Sequence, residues 1–493
     1  MHQVCRIGTK FSTASSLRAH AQLRKMSTLN RAGGGPKESK DGQDASGPAA
    51  GRTFMLSLFG MWAAAMSCLS NAAVSLEGDL DTRRRLFDAD QILRRHEKTT
   101  RAPAGSGITR YDFSHVGSNE PAEDDHQEVV VPVPSGYWSF FGIFDGHNGG
   151  DTSKWLADNL ILAVIGGLGD LYSALVGTES NAAPEPTPSD ISAKLKEVFN
   201  ELDDAIVNEP LRDVFASNSR QAGATLLGPA WAGSCALLSF YDSHSRRLHL
   251  ALTGDSRAVL GRRRYDSEGE LKYDVYILTT DQNAMNPREL ERLTADHPGE
   301  NVVQNSRVFG MGVSRAFGDA RLKWTREVQD KLKRHHLGRS PLAVVKTPPY
   351  LIAEPEVTSI DIQPGDFLIM GSDGLWESLT SEEAVGLVGL WKEGEKDRFG
   401  NREPLGGYAP HTLPVWMAER DDTQRYRQWG TEKRFARRDA NAATHLLRNA
   451  LGGADRELIA SLLSMKTPKA RTYRDDMTAI VVFFSDEGAR KSA

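Results

Sequence analysis

The chain has 493 residues, 39% hydrophobic and 25% charged, with a formal net charge of -5. That length holds one large domain or two ordinary ones, and the mild acidity leaves no electrostatic footprint for nucleic acid. Its three cysteines, Cys5, Cys68 and Cys235, spell out neither a disulfide framework for a folded core nor a Cys/His zinc site.

The N-terminal region is a separate message. Met1–Lys37 carries Arg6, Lys10, Arg18, Arg24, Lys25, Arg31 and Lys37 among many hydroxyl residues, and the first acid is Glu38. A basic, acid-free, Ser/Thr-rich start has the composition of a mitochondrial presequence. Residues 1–50 are therefore expected to be presequence and Gly-rich linker, and 51–78 a candidate transmembrane anchor. Within the latter, Thr53–Leu76 has no charged residue and is long enough to cross a bilayer. Arg52 precedes it, and Glu77, Asp79 and Asp81 follow. Basic residues stay on the side from which a segment inserts, so an inner-membrane anchor would leave the bulk facing the intermembrane space. Residues 79–110 read as a charged linker with a helix-like middle at Arg83–His96.

The folded domain is expected over 111–485, with a tail at 486–493. Glu128–Pro134 and Tyr137–Gly146 are rich in β-branched and aromatic residues around a Pro-Ser-Gly turn, which predicts adjacent strands. Asp151–Ile165 reads as a helix with an Asp or Thr cap. Ile191–Val207 repeats apolar residues at helical spacing, the pattern of a core face. Ser234–Tyr241, Arg247–Thr253, Ser256–Arg262 and Asp274–Thr279 follow as strands of an antiparallel meander. Asn286–Leu293 is a short helix. Later strands fall at Glu356–Ile362, Asp366–Gly371 and Met477–Phe484, and helices at Ser381–Trp391 and Asp439–Met465. The polar stretch 392–438 reads as an insertion or long loop outside the core. The expected architecture is α+β, a central antiparallel β-sandwich flanked by helices on both faces.

Short acidic motifs punctuate these elements. They are PAED at Pro121–Asp124, FDGH at Phe144–His147, GDSR at Gly254–Arg257, SDGLWE at Ser372–Glu377 and RDDM at Arg474–Met477. A strand ending in Asp-Gly, such as Asp145-Gly146 or Asp373-Gly374, can present a carboxylate and a carbonyl to a hard divalent cation. Glu123, Asp124 and Asp125 repel one another unless a cation neutralises them. Asp475 and Asp476 immediately precede an apolar strand. Asp255 is read as a turn residue or an additional ligand. Glu377 is read as facing solvent or as serving a further metal through water. His147, beside these acids, could protonate a leaving oxygen.

In this order the motifs resemble the metal-dependent protein phosphatases of type 2C, from about Tyr111 to Phe484. The strings NEPAED, DQNAMNPRELERLTADHP, SRAFGDARLKW and TPPYLIAEPEV are similar to the pyruvate dehydrogenase phosphatase branch and its fungal mitochondrial relatives. The resemblance implies a protein serine/threonine phosphatase with two Mg²⁺ or Mn²⁺ ions and a water activated between them. It makes Asp145 the bridge, with Asp373 and Asp475 completing the first metal. Glu123 and the Gly146 carbonyl serve the second, and Asp124 supports bound water. Asp255 and Glu377 are candidates for a third metal, and His147 is the general acid. It also implies a phosphorylated protein partner, with pyruvate dehydrogenase E1 alpha as the suggested substrate, in the matrix or at the inner membrane. The alternative is a pseudophosphatase, a binding module of the same fold. One departure stands out. Many members carry an Arg four residues before the ligating Glu, and here that position, a phosphate-binding candidate, is Asn119. An Asn cannot make the charged bidentate contact. Arg307 and Arg315 are weaker candidates for that task, Arg315 reading better as a structural ion-pair partner.

Overall fold

The computed structural model describes residues 83–176, 185–396, 404, 406–418 and 420–486. The expected presequence and the expected anchor lie outside the described residues, as does the tail from 487 onward. Arg85–Ala493 forms one compact unit.

The strands of its two large sheets are, in chain order, β1 (Lys98–Arg101), β2 (Ile108–Val116), β3 (Asp125–Val133), β4 (Gly136–Phe144), β5 (Ala236–Asp242) and β6 (Arg247–Thr253). They continue as β7 (Arg257–Tyr265), β8 (Leu271–Ile277), β9 (Glu356–Asp361), β10 (Phe367–Gly371) and β11 (Met477–Phe484). The six-stranded sheet has the order β1-β2-β11-β10-β7-β8, and the five-stranded sheet the order β9-β6-β5-β4-β3. Every pairing within them is antiparallel.

The layers follow from strand alternation. All eight residues of β11 are buried. Ala479, Val481 and Phe483 face one helical layer, whereas Ile480, Val482 and Phe484 face the other sheet. The same split divides β5, where Leu238 and Phe240 meet helices while Leu237 and Tyr241 point between the sheets. A strand covered on both sides is apolar throughout. Each such side chain contributes about 1.5–3 kcal/mol on burial. On one outer face lie α1 over 83–94, together with helices labelled in chain order below. On the other lie α2 (Asp151–Val176) and α3 (Pro188–Val207); α4 (Ser381–Lys396), α5 (Ala442–Ala450) and α6 (Arg456–Ser464) belong to the first face, beside α1. The result is an α+β sandwich of two antiparallel sheets between helical layers.

Local chemistry sets the helix starts. The Thr187 hydroxyl accepts from the Asp190 N–H at 3.2 Å while Asp190 accepts from the Thr187 N–H at 2.9 Å, with Pro188 in the first turn of α3. The apolar stripe expected on α3 is buried, from Ile191 and Leu195 through Phe199 to Ile206. α2 is long and apolar enough to cross a membrane, but its Leu156, Leu160, Ile161, Val164 and Leu168 are committed to the sheet.

Four expectations need correction. α2 extends to Val176 rather than Ile165, because its apolar side continues through Leu168. The compact unit starts well before Tyr111: Ala89 and Leu93 of α1 are buried in the core, and β1 pairs with β2 through Thr99 and Asp112. The single helix expected over Asp439–Met465 is two, α5 and α6. Gly452 and Gly453 between them take φ of +133° and +61°, which a helix cannot. The described part of 392–438 is no loose loop. Leu413, Val415 and Phe435 are core residues, and the Tyr273 N–H donates to the Pro414 carbonyl at 2.8 Å. Those apolar anchors are isolated in sequence and show no period.

Candidate metal centre

The antiparallel register delivers the acidic motifs to one end of the sandwich. Asp145 follows β4, and Asp124 precedes β3, whose Asp125 pairs with Phe144. Asp373 follows β10, and Asp475 lies just before β11, where Gly371 pairs with Ala479. Gly371 pairs also with Arg257 at the start of β7, beside Asp255.

Asp145, Asp255 and Asp373 each offer a carboxylate oxygen, all within 4.8 Å of one another. The Asp373 N–H donates to Asp145 Oδ2 at 3.3 Å. Burial and the charges of Asp373, Asp124, Asp255 and Asp475 push Asp145 well above the carboxylate range. Burial, then Asp255, Asp475, Glu377 and Asp124, do the same to Asp373. Asp124 is pushed up to about 7 by burial and Asp476, against a 2.7 Å hydrogen bond that it accepts from the Thr478 hydroxyl. Asp255 rises to about 6 through burial and Asp281. Burial also raises Asp475, against the pull of Arg471. Buried like charges cannot all ionise without a counter-cation. An all-oxygen donor set of this kind suits a hard divalent ion, so the residues fit the metals implied by the motifs. Asp255, which the sequence leaves between turn and ligand, belongs to the central trio.

Glu123 and Asp475 stand at the edge of this trio. Glu123 Oε1 accepts from the Gly149 N–H at 2.7 Å, and Oε2 accepts from the Asn119 amide at 2.8 Å. Arg471 Nη1 lies 3.3 Å from Glu123 Oε2 and 3.0 Å from Asp475 Oδ1. Asp476 is no ligand here but a clamp. Its carboxylate accepts from the N–H groups of Ser118, Asn119 and Glu123, fixing their loop to the start of β11. A Cβ on Gly146 would lie 2.2 Å from the Glu123 carbonyl oxygen. Only glycine therefore allows the two motifs to pack together.

His147 Nε2 is 2.5 Å from Asp319 Oδ2. Burial would lower the His147 pKa, but Asp319, Asp255 and Glu123 outweigh it and hold the ring above its ordinary value. Asp319 lies in the SRAFGD segment, and sequence reasoning gave it no role. Its signal is a Gly-Asp pair like that of Gly254-Asp255. Glu377, 30% exposed, is paired by Arg425 of the 392–438 stretch at 2.5 Å, and its charge acts on Asp373 of the trio. Arg315 is buried against Glu289 at 2.6 Å, the structural ion pair expected, and Arg307 is exposed and donates to the Gly310 carbonyl at 3.2 Å.

Comparison with known proteins agrees with this geometry. The family described as protein phosphatase 2C matches residues 123–399. A protein phosphatase 2C homolog of Schizosaccharomyces pombe is 42% identical over 409 residues, covering 81% of this chain and 86% of that protein. A Saccharomyces cerevisiae protein named mitochondrial pyruvate dehydrogenase (acetyl-transferring) phosphatase 1 is 38% identical over 417 residues, or 78% of this chain and 70% of its own. The human protein of that name is 31% identical over 460 residues, 80% of this chain and 82% of its own. The chain belongs to the protein phosphatase 2C family and is a protein phosphatase.

Proposed function

We propose that this protein hydrolyses phosphoserine and phosphothreonine with two Mg²⁺ or Mn²⁺ ions, and that its substrate is the phosphorylated E1 alpha subunit of pyruvate dehydrogenase. The observation that carries the reading is the trio Asp145, Asp255 and Asp373, half-buried within 4.8 Å of one another and surrounded by further acids. Asp145 would bridge the ions, with Asp373 and Asp475 on one, Glu123 and the Gly146 carbonyl on the other, and Asp255 free for a further one. Divalent cations there would supply Lewis acidity that neutralises the phosphate and activates water for in-line attack.

The chain's own groups do the rest. Asp124, buried and bonded to the Thr478 hydroxyl, would hold the attacking water by a hydrogen bond. His147, its pKa held above the ordinary value by Asp319 against burial, would return a proton to the leaving serine or threonine oxygen. With Nε2 engaged by Asp319, that donation falls to Nδ1. The relatives named as mitochondrial pyruvate dehydrogenase phosphatases, together with the basic, acid-free start, support mitochondrial targeting by residues 1–50. Residues 51–78 remain a candidate inner-membrane anchor, the alternative being a matrix protein, and 111–485 the bulk of the catalytic domain. The test offers the full chain, with Mn²⁺, an E1 alpha phosphoserine peptide and a panel of metabolite phosphates. Peptide hydrolysis that EDTA stops and Mn²⁺ or Mg²⁺ restores is expected. Activity indifferent to chelator would sink the metal reading, and preference for metabolites would sink the protein substrate.

A further inference from the structure

The missing phosphate-gripping arginine leaves a vacancy in the chemistry that the neighbouring residues allow to be filled. Asn119 is already spent: its amide donates to Glu123 Oε2 at 2.8 Å, and it carries no charge. Arg425 is spent as well. Its Nε and Nη2 both engage Glu377 Oε2, at 2.7 and 2.5 Å, and its side chain is only 11% exposed. Arg315 is committed to Glu289 far along the chain. Arg471 differs from all three. It sits on the short helix Ala470–Tyr473, one turn before Asp475, and its side chain is 41% exposed. Both of its ion pairs run through Nη1, to Glu123 and to Asp475, the two acids at the edge of the trio. The charges of Asp475, Glu123, Asp476 and Asp373 all act on it, so the guanidinium lies at the mouth of the acidic cluster.

We propose that Arg471 is the residue that grips the substrate's phosphoryl oxygens, doing from the C-terminal end of the domain what an arginine at position 119 would do from the N-terminal end. The inference rests on the metal-dependent phosphatase reading above. Each pair uses one carboxylate oxygen, Oε2 of Glu123 and Oδ1 of Asp475, so both acids keep acceptor capacity for cations. Both pairs run through Nη1, which leaves the Nε and Nη2 side of the 41% exposed guanidinium for a ligand. That edge of the planar fork suits a dianionic phosphate better than any neutral amide does. The remaining carboxylates are unsuited to that task, since they repel phosphate. The helix that carries Arg471 also explains how the contact is aimed: one helical turn fixes it relative to Asp475.

The test uses the full chain with saturating Mn²⁺ and compares wild type, Arg471→Ala and Arg471→Lys. Three quantities are measured: kcat and KM on a phosphoserine peptide, product inhibition by inorganic phosphate, and the rise in melting temperature that inorganic phosphate produces. Loss of one charge-assisted contact predicts an increase of about tenfold in both KM and the phosphate inhibition constant for Arg471→Ala. The thermal protection by phosphate should shrink, and Arg471→Lys should recover part of each. An unchanged phosphate inhibition constant in Arg471→Ala overturns the proposal. So does a defect confined to the Mn²⁺ concentration needed for activity, which would make Arg471 a positioner of Glu123 and Asp475. In either case an active wild type leaves the phosphatase reading intact, whereas a wild type inactive with Mn²⁺ removes both.

Discussion

Two buried acidic sites in this protein have opposite characters. Glu289, on the helix Pro287–Asp296, is surrounded by partners: Arg315 at 2.6 Å, Arg292 at 2.9 Å and the Ser314 hydroxyl at 2.7 Å. Burial alone would raise its pKa, but those hydrogen bonds and charges pull it down to about 2. Asp145 and Asp373 are half-buried among other acids, and both are pushed far upward. A buried acid with its cation supplied by the chain is part of the architecture. A buried group of acids whose cation must come from outside is a site. Both look alike in sequence, as an acid near apolar residues, and the partners alone separate them.

That contrast can be broken experimentally. The largest effect is expected on turnover. Asp145→Asn should lower kcat on a phosphopeptide on the order of 10³-fold, as loss of a central electrostatic element does. Without metal, the same variant should melt no lower than wild type, because a repelling charge has been removed. A metal-free Asp145→Asn protein that unfolds much earlier would show that Asp145 is structural after all.

At the paired site the order reverses. Arg315→Ala leaves the Glu289 carboxylate buried with only part of its compensation, and denaturant unfolding should register a loss of about 3–5 kcal/mol. Any fall in activity should follow the fraction folded. A change below about 1 kcal/mol would remove the distinction between the two sites.

The smallest effect is on acid stability. The folded-state pKa of Glu289 lies below its ordinary value of 4.5. Its contribution is therefore fully present above about pH 4.5 and is lost as pH falls toward 2. The stability gap between wild type and Glu289→Gln, followed by denaturant melts across that window, should narrow as acid is added. A constant gap would mean that the carboxylate's charge is not what matters there.

Much of the site was legible because its acids sit where apolar runs stop. Asp145-Gly146 after FFGIF and Asp373-Gly374 after FLIMG both announce a strand end with exposed oxygen donors. Asp319 was quoted within its motif yet given no role, since its partner His147 is 172 positions away. The pairing of Glu377 with Arg425 is not legible in the sequence, because Arg425 belongs to a stretch with no apolar period. The packing of Leu413, Val415 and Phe435 was hidden for the same reason, and the break between α5 and α6 lay in a Gly-Gly pair read as part of one helix.

The sequence by itself determined the element types, the α+β layering and the set of acids, because period, turn residues and charge are local properties of a chain. Only the tertiary structure decided which acid has a cation of its own, which acids must share one from outside, and which arginine stands at the mouth. Those are matters of distance between residues far apart in the chain, and electrostatic energy depends on that distance and on burial rather than on sequence order.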